Sequence, residues 1–334
     1  MNMTENNTKT TGITGSTLKI IAIITMFIDH VGAIIVEGYL NKLGPSATTQ
    51  SYMMEHPEVA FISMLDNILR LTGRLGFPLF VFLLIEGFTY TKSKWKYGRN
   101  LFIFALISEI PFNLGFQNRL FYPAYQNVFF TLLIGLIVLS CIKYLAEERV
   151  YSEKISWIFY PVSFLAGCLI PYMLMNTTFF SLLKYLIPIG FNTKFIILTL
   201  AVAVIFTLVM AILFTKKWNA DKKNRFAFTL LFICLGVLAA ELLQTDYSGF
   251  GVLTIVVMYY FRKNKTLQMA MGCAALTFFN LVEATAFFTI IPISKYNGKR
   301  GLSLKYVFYA FYPLHILLLY GIAYLCGIVG FAIK

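Results

Sequence analysis

The stretch LKIIAIITMFIDHVGAIIVEGYL, residues 18–40, decides how the rest of the chain is read. It is long enough for a helix to cross a hydrocarbon layer, which asks for about 20 predominantly apolar residues. Its charged and imidazole side chains are Lys19 near the start, Asp29 and His30 in the middle, and Glu37 near the end. Hydrocarbon offers the backbone no hydrogen-bond partner, so a spanning segment of this kind must be helical. Two adjacent ionisable residues at its centre are costly there and mark the segment as more than an anchor.

Composition extends this reading to the whole chain. Of 334 residues 58% are hydrophobic and 13% charged, and the mean hydropathy is +0.73. Soluble domains carry about a quarter charged residues. No Pro/Gly/Ser-rich linker divides the apolar runs and no internal repeat is visible. The expected organisation is therefore a polar cytoplasmic tail over residues 1–17 and a single transmembrane domain over residues 18–334. The tail has no apolar core and no cleavage site of a signal peptide, so the first span directs insertion.

The net charge of +13 does not point to nucleic acid. The basic residues lie in short clusters between apolar segments, where they set topology, and not along one stripe or binding motif. Cys141, Cys168, Cys234, Cys273 and Cys326 all lie in apolar runs, without the paired spacing of a metal or redox site. They read as packing residues, and no metal is expected.

Spans are expected over residues 18–40, 75–90, 101–116, 127–145, 157–175, 195–214 and 226–243. A short one follows at 249–261, an ambiguous stretch at 266–294, and a long proline-containing span at 306–333. The ambiguous stretch is either one helix or two short ones turning near 280–283. Loop charge favours two: ten spans would expel Lys295, Lys299, Arg300 and Lys305 and recover only Lys334. The expected fold is thus an all-α polytopic membrane bundle of about eleven spans, with ten as the alternative and the amino terminus cytoplasmic. Residues 41–70 form an external segment whose 63–70 part is an amphipathic helix, and residues 179–191 lie in the interface.

Ionisable side chains inside the bilayer can then be named: Asp29, His30, Glu37, Arg74, Glu86, Glu109, Glu241, Glu283 and His315. At 1.5 Å per residue, His30, Glu109 and His315 all lie roughly 15 Å from the cytoplasmic ends of their helices. Glu86 is nearer the cytoplasm and Arg74 nearer the outside. Pro78, Pro111 and Pro313 free carbonyls beside this polar set and bend its helices. Tyr312 and His315, at i and i+3, share a helix face. The plain alternative is that such histidines are structural hydrogen-bonding residues of a helix bundle. Glu241 and Glu283, near the outer ends of their spans, read as interfacial. Asp29 cannot face the same way as His30 and is expected to pair with another helix, leaving a different carboxylate to orient His30.

The residues resemble the TraX family of integral membrane proteins, whose named member acetylates the amino terminus of a conjugative pilin. The matching segments are LKIIA at 18–22, MFIDH at 26–30, GRLGFPLF at 73–80, EGF at 86–88, ALISEIPF at 105–112, GVL at 251–253, YNGKRG at 296–301 and YAFYPLH at 309–315. The first-span histidine, the Glu86-Gly87-Phe88 ending and the late Tyr-x-x-His are also similar, more distantly, to the acyltransferase-3 superfamily. The arginine-containing first-span motif of that superfamily is replaced here by Lys19 and Asp29-His30.

The resemblance implies transfer of an acyl group, most simply acetyl from cytoplasmic acetyl-CoA, to an amine or hydroxyl of a surface-destined peptide or glycan. On that reading His30, with Asp29 and Glu109, forms the catalytic group. His30 acts as general base, its tautomer held by Glu109 or Glu86, or else carries the acyl group covalently. Arg74, Glu86, Tyr312 and His315 bind substrate or stabilise the oxyanion, with Tyr312 or His315 as the donor to it. Asn297, Gly298, Lys299 and Arg300 hold the donor's phosphates, with help from Lys92, Lys94 and Lys96. The competing class is a proton-coupled transporter or flippase using the same buried groups, and a third is a passive assembly protein.

Overall fold

A computed structural model describes residues 12–151, 158–178, 193–215, 218–303 and 305–330. The described residues are helical throughout, apart from turns and two isolated bridges, Ile13 with Tyr296 and Gln126 with Thr245.

The deciding segment forms one continuous helix, α1 (Gly15–Leu43). Thr14 caps it, its hydroxyl accepting from the Thr17 amide at 3.3 Å. A π-helical stretch, Val31–Val36, follows His30 directly; such stretches often accompany functional positions. After a short 3₁₀ turn come α2 (Gln50–Glu55), α3 (Pro57–Gly73) and α4 (Gly76–Tyr90). Then follow α5 (Lys94–Gln117), α6 (Val128–Cys141), α7 (Phe159–Met175), α8 (Thr193–Thr215), α9 (Ala220–Leu242) and α10 (Ser248–Tyr260). The chain closes with α11 (Lys265–Phe279), a 3₁₀ arm (Leu281–Thr289), α12 (Ile290–Ser294) and α13 (Lys305–Leu325).

Helix α4 lies at the centre. Leu79, Val81, Phe82 and Ile85 are fully buried, and the helix packs against α1, α6, α10 and α11. Helix α1 also packs against α3 and α13, and α13 packs on α5. The outer helices show apolar residues to their surroundings, as Ile196, Ile205 and Ile212 do on α8, which suits contact with lipid.

Among the described residues, five helices are long and apolar enough to cross a bilayer: Gly15–Leu43, Pro57–Tyr90, Val128–Leu145, Ala220–Leu242 and Val307–Leu325. Four apolar stretches are shorter, Phe159–Met175, Ile196–Ile212, Ser248–Tyr260 and Leu281–Ser294. The structure thus gives a helical membrane protein, and the larger count read from hydropathy is met by five helices of full length. Of the shorter helices, α10 is enclosed by its neighbours; Val252, Ile255 and Met258 are all fully buried.

Two boundaries differ from those read from sequence. The 41–70 segment is largely helical, and its amphipathic helix begins at Pro57, not at residue 63. It exposes Phe61, Met64 and Ile68 and runs into α4 through a break at Arg74–Leu75. Pro78 therefore sits in the first turn of α4, where a missing N–H costs little, and it bends nothing. The 266–294 stretch breaks at Asn280, whose side chain accepts from the Val282 amide at 3.1 Å, and the 3₁₀ arm folds back along α11. The expected interfacial piece at 179–191 lies outside the described residues.

Candidate functional site: a histidine pair beyond a basic-mouthed cavity

A cavity of about 730 Å³ enters the bundle between α1, α4, α5, α6 and α13. Its basic end carries Lys19, Lys92, Lys96 and Arg300, and its walls are largely aromatic, with Tyr90, Tyr97, Tyr296, Phe308 and Tyr309. Further in, it is lined by Met26, Val128, Phe129 and Tyr312. The loop at the mouth is tied to the start of α1. The Ile13 amide donates to the Lys295 carbonyl at 2.8 Å, the Gly15 amide to that of Lys299 at 2.8 Å, and the Ser16 amide to that of Arg300 at 2.9 Å. Gly301 is required there: its φ is +71°, and a β-carbon would collide with the Ser16 hydroxyl. The first amides of α1 are thus spent on loop carbonyls, and anion binding at the mouth falls to the side chains.

Of the four loop residues expected at a donor site, Gly298 and Arg300 line the cavity. Asn297 instead donates to the Gly12 carbonyl at 3.2 Å, and its side-chain oxygen accepts from the Lys299 amide at 3.0 Å. Lys19, which was not among the residues expected at a donor site, also lines the cavity.

Tyr312 separates the cavity from two buried imidazoles. Its ring centroid is 6.0 Å from that of His30 and 5.8 Å from that of His315. His30 Nδ1 and His315 Nε2 are 2.6 Å apart. The ring centroids are 4.8 Å apart and the planes differ by 11°. A separation that large beside so short an N···N distance requires both nitrogens to lie near the line of centres. The rings therefore meet edge to edge, as a hydrogen bond in the ring planes demands. His315 Nδ1 lies 2.7 Å from the Phe311 carbonyl one turn earlier. Phe27, Phe116 and Phe311 close around the pair.

The partner of His30 is therefore a histidine and not a carboxylate, which corrects the expectation that Glu109 or Glu86 orients it. Each glutamate is engaged elsewhere. Glu109 is half-buried and one of its oxygens accepts from the Asn127 side chain at 2.6 Å, while the other has no partner. Glu86 forms an ion pair with Lys265 and accepts from the Tyr296 hydroxyl at 3.1 Å, at the basic end of the cavity.

Asp29, Arg70, Arg74 and Glu283 form a second polar region around the α3–α4 break. Asp29 pairs with Arg70 at 2.9 Å, so it does turn to another helix. Gly73 permits this, since a β-carbon there would overlap the Asp29 side chain. Arg74 pairs with Glu283 at 3.1 Å. Glu283 is 3% exposed and its second oxygen has no partner, so it is a buried ion-pair residue and not an interfacial one. Glu241 accepts from the Gly249 amide at 3.1 Å and so caps α10. Asp246, which accepts from the Tyr125 hydroxyl at 2.9 Å, and Arg70 were not singled out in the sequence. Asp246 sits between two expected spans and Arg70 at the end of the expected external amphipathic helix, places where a charge carries no hydropathic signal. Among the described residues no group of three or more His, Cys, Asp or Glu is placed to hold a metal.

A helical membrane protein with a cationic entrance, an aromatic-walled cavity and a paired-histidine centre beyond it is the class that fold and site define. The model of the family described as TraX protein matches residues 14–187 and 192–323, nearly the whole chain. The protein belongs to the TraX family. No curated protein and no solved structure matches it.

Proposed function

We propose that the protein is a membrane-embedded acyltransferase that moves an acetyl group from acetyl-CoA to an amine or hydroxyl of a surface-destined peptide or glycan. The observation that supports this reading is the cavity itself. Lys19, Lys92, Lys96 and Arg300 at one end suit the phosphates of a coenzyme A donor. The aromatic walls suit its slender arm, and the inner end, at Tyr312, adjoins the histidine pair. The basic face is then cytoplasmic, as the loop charges require.

In the proposed reaction His30 takes the proton of the acceptor as its nitrogen or oxygen attacks the thioester carbon. The Tyr312 hydroxyl donates to the oxyanion that develops. As the carbon–sulfur bond breaks, the proton passes from His30 to the departing sulfur, giving acetylated acceptor and free coenzyme A. Acetyl-CoA titrated into the purified protein should bind, and labelled acetyl should pass from it into cell envelopes with release of free coenzyme A. Absence of both binding and release would overturn the proposal, and a transporter of a surface component would become the working reading. Mass spectrometry of surface proteins and glycans, with and without the protein, would identify the acceptor by an acetyl-sized mass difference.

A further inference from the structure

Two buried imidazoles in hydrogen-bond contact can be protonated in only a few ways, and here a third group removes the ambiguity. The Phe311 carbonyl can only accept a hydrogen bond. His315 Nδ1, 2.7 Å from it, must therefore carry a proton. In a neutral ring that leaves His315 Nε2 with a lone pair. His30 Nδ1 faces that lone pair at 2.6 Å and must in turn be the donor. The remaining nitrogen of His30, Nε2, is then unprotonated and free to accept.

We propose that His315 is a positioning residue that, anchored on the Phe311 carbonyl, fixes the proton of His30 on Nδ1 and so makes His30 Nε2 the base. The relation is directional, because each link carries its proton toward Phe311. When Nε2 takes up a proton from the acceptor, the Nδ1–H bond to His315 becomes charge-assisted and strengthens, stabilising the imidazolium at the moment it forms. The fixed element is the helix of His315 itself. Phe311 and His315 are one turn apart on α13, so the anchor needs no contact from another helix. Phe27 and Phe116 beside the pair carry no donor, and the Tyr312 ring stands steeply to both imidazoles, at interplanar angles of 70°. This inference rests on the acyl-transfer reading for its chemical purpose, though the protonation pattern does not.

Two measurements test it. Nitrogen NMR of the full-length protein labelled at histidine nitrogens, with His30→Ala and His315→Gln used for assignment, should find His30 protonated on Nδ1 and bare on Nε2. A proton on Nε2 overturns the proposal whatever the protein does. In transfer of labelled acetyl from acetyl-CoA to cell envelopes, His315→Leu should lower the turnover rate by on the order of 10²–10⁴-fold, the scale of a base left in the wrong tautomer. Its binding of acetyl-CoA should stay within a few-fold of wild type. His315→Gln places a carbonyl oxygen near the position of Nε2 and should recover all but about tenfold of the lost rate. A merely structural His315 would predict loss of acetyl-CoA binding in both variants, or equal damage in both, and either result refutes the positioning role. If His30→Ala is inactive while His315→Leu turns over like wild type, the acyl-transfer reading stands and the positioning role falls. If the wild-type protein transfers no label, that reading falls, and the NMR result alone decides the protonation pattern.

Discussion

Replacing Arg74 by alanine should be among the most destabilising single changes in this protein. The carboxylate of Glu283 is 3% exposed, one oxygen lies 3.1 Å from the Arg74 guanidinium, and the other has no partner. Arg70, the other cation of this region, is already paired with Asp29 at 2.9 Å. Deletion of Arg74 therefore leaves Glu283 buried without a counter-charge, which costs about 3–5 kcal/mol. The reverse deletion is milder. The Arg74 side chain is 21% exposed, so Glu283→Gln should cost about 1–3 kcal/mol, the scale of one charged hydrogen bond lost. The double variant Arg74→Leu with Glu283→Leu removes both charges and should recover most of the loss, because a buried ion pair contributes little net stability over apolar residues of similar size. Unfolding of the purified variants by SDS in mixed micelles would measure all three. If Arg74→Ala costs less than Glu283→Gln, or the double variant is the least stable, the pair is not holding a desolvated carboxylate and the argument fails.

Three further outcomes follow from the site. His30→Ala should leave the protein folded and able to bind acetyl-CoA but lower acetyl transfer by about 10² or more; the wild-type rate should fall as pH falls, because a protonated imidazole cannot accept the acceptor's proton. A well-folded His30→Ala protein with full activity would exclude His30 as the base. Lys19→Ala with Arg300→Ala should weaken acetyl-CoA binding by about tenfold or more at low salt, with the difference shrinking as salt rises, as titration at two ionic strengths would show; affinity independent of both residues would remove the mouth as a phosphate site. Gly73→Ala should cost about 1–3 kcal/mol by driving α3 away from Asp29, and an unchanged SDS midpoint would mean that the close approach is not maintained.

The parts of the fold legible in the sequence are those governed by hydropathy. The 18–40 segment lies within α1, and the breaks at Asn118 and Asn280 fall between apolar runs. The helix of residues 57–73 was less legible, since its exposed Phe61, Met64 and Ile68 interleave with polar residues. Its junction with α4 was legible, since Gly73 and Gly76 flank Arg74 and Leu75, where the second span was expected to begin. The site was legible as a set of residues and not as a set of pairs. His30 and His315 stood out because ionisable groups are rare in such helices, and Tyr312 because it shares a helix face with His315. Which of them meet depends on helix rotation, and a one-residue change in a helix turns a side chain by about 100°. Depth along the helix, the quantity that counting residues provides, placed Glu109 level with His30 but says nothing of rotation, and Glu109 points to Asn127 instead.

Rotation also explains why a histidine, and not a carboxylate, partners His30. Asp29 and His30 are neighbours on α1 and must look in different directions. Asp29 turns toward α3, where Gly73 makes room and Arg70 neutralises it. His30 turns toward α13, in an environment of Phe27, Phe116 and Phe311. A carboxylate placed against His30 among those rings would have to be desolvated, at a cost of several kcal/mol unless fully paired. A neutral imidazole anchored on a backbone carbonyl supplies the same lone pair without bringing a charge into the bilayer. The charge then appears only when His30 takes up a proton. On the proposed reading, an arrangement that is neutral at rest and becomes cationic only when His30 takes up a proton suits a base set deep in an apolar bundle, with the Asp29–Arg70 ion pair turned toward a different helix.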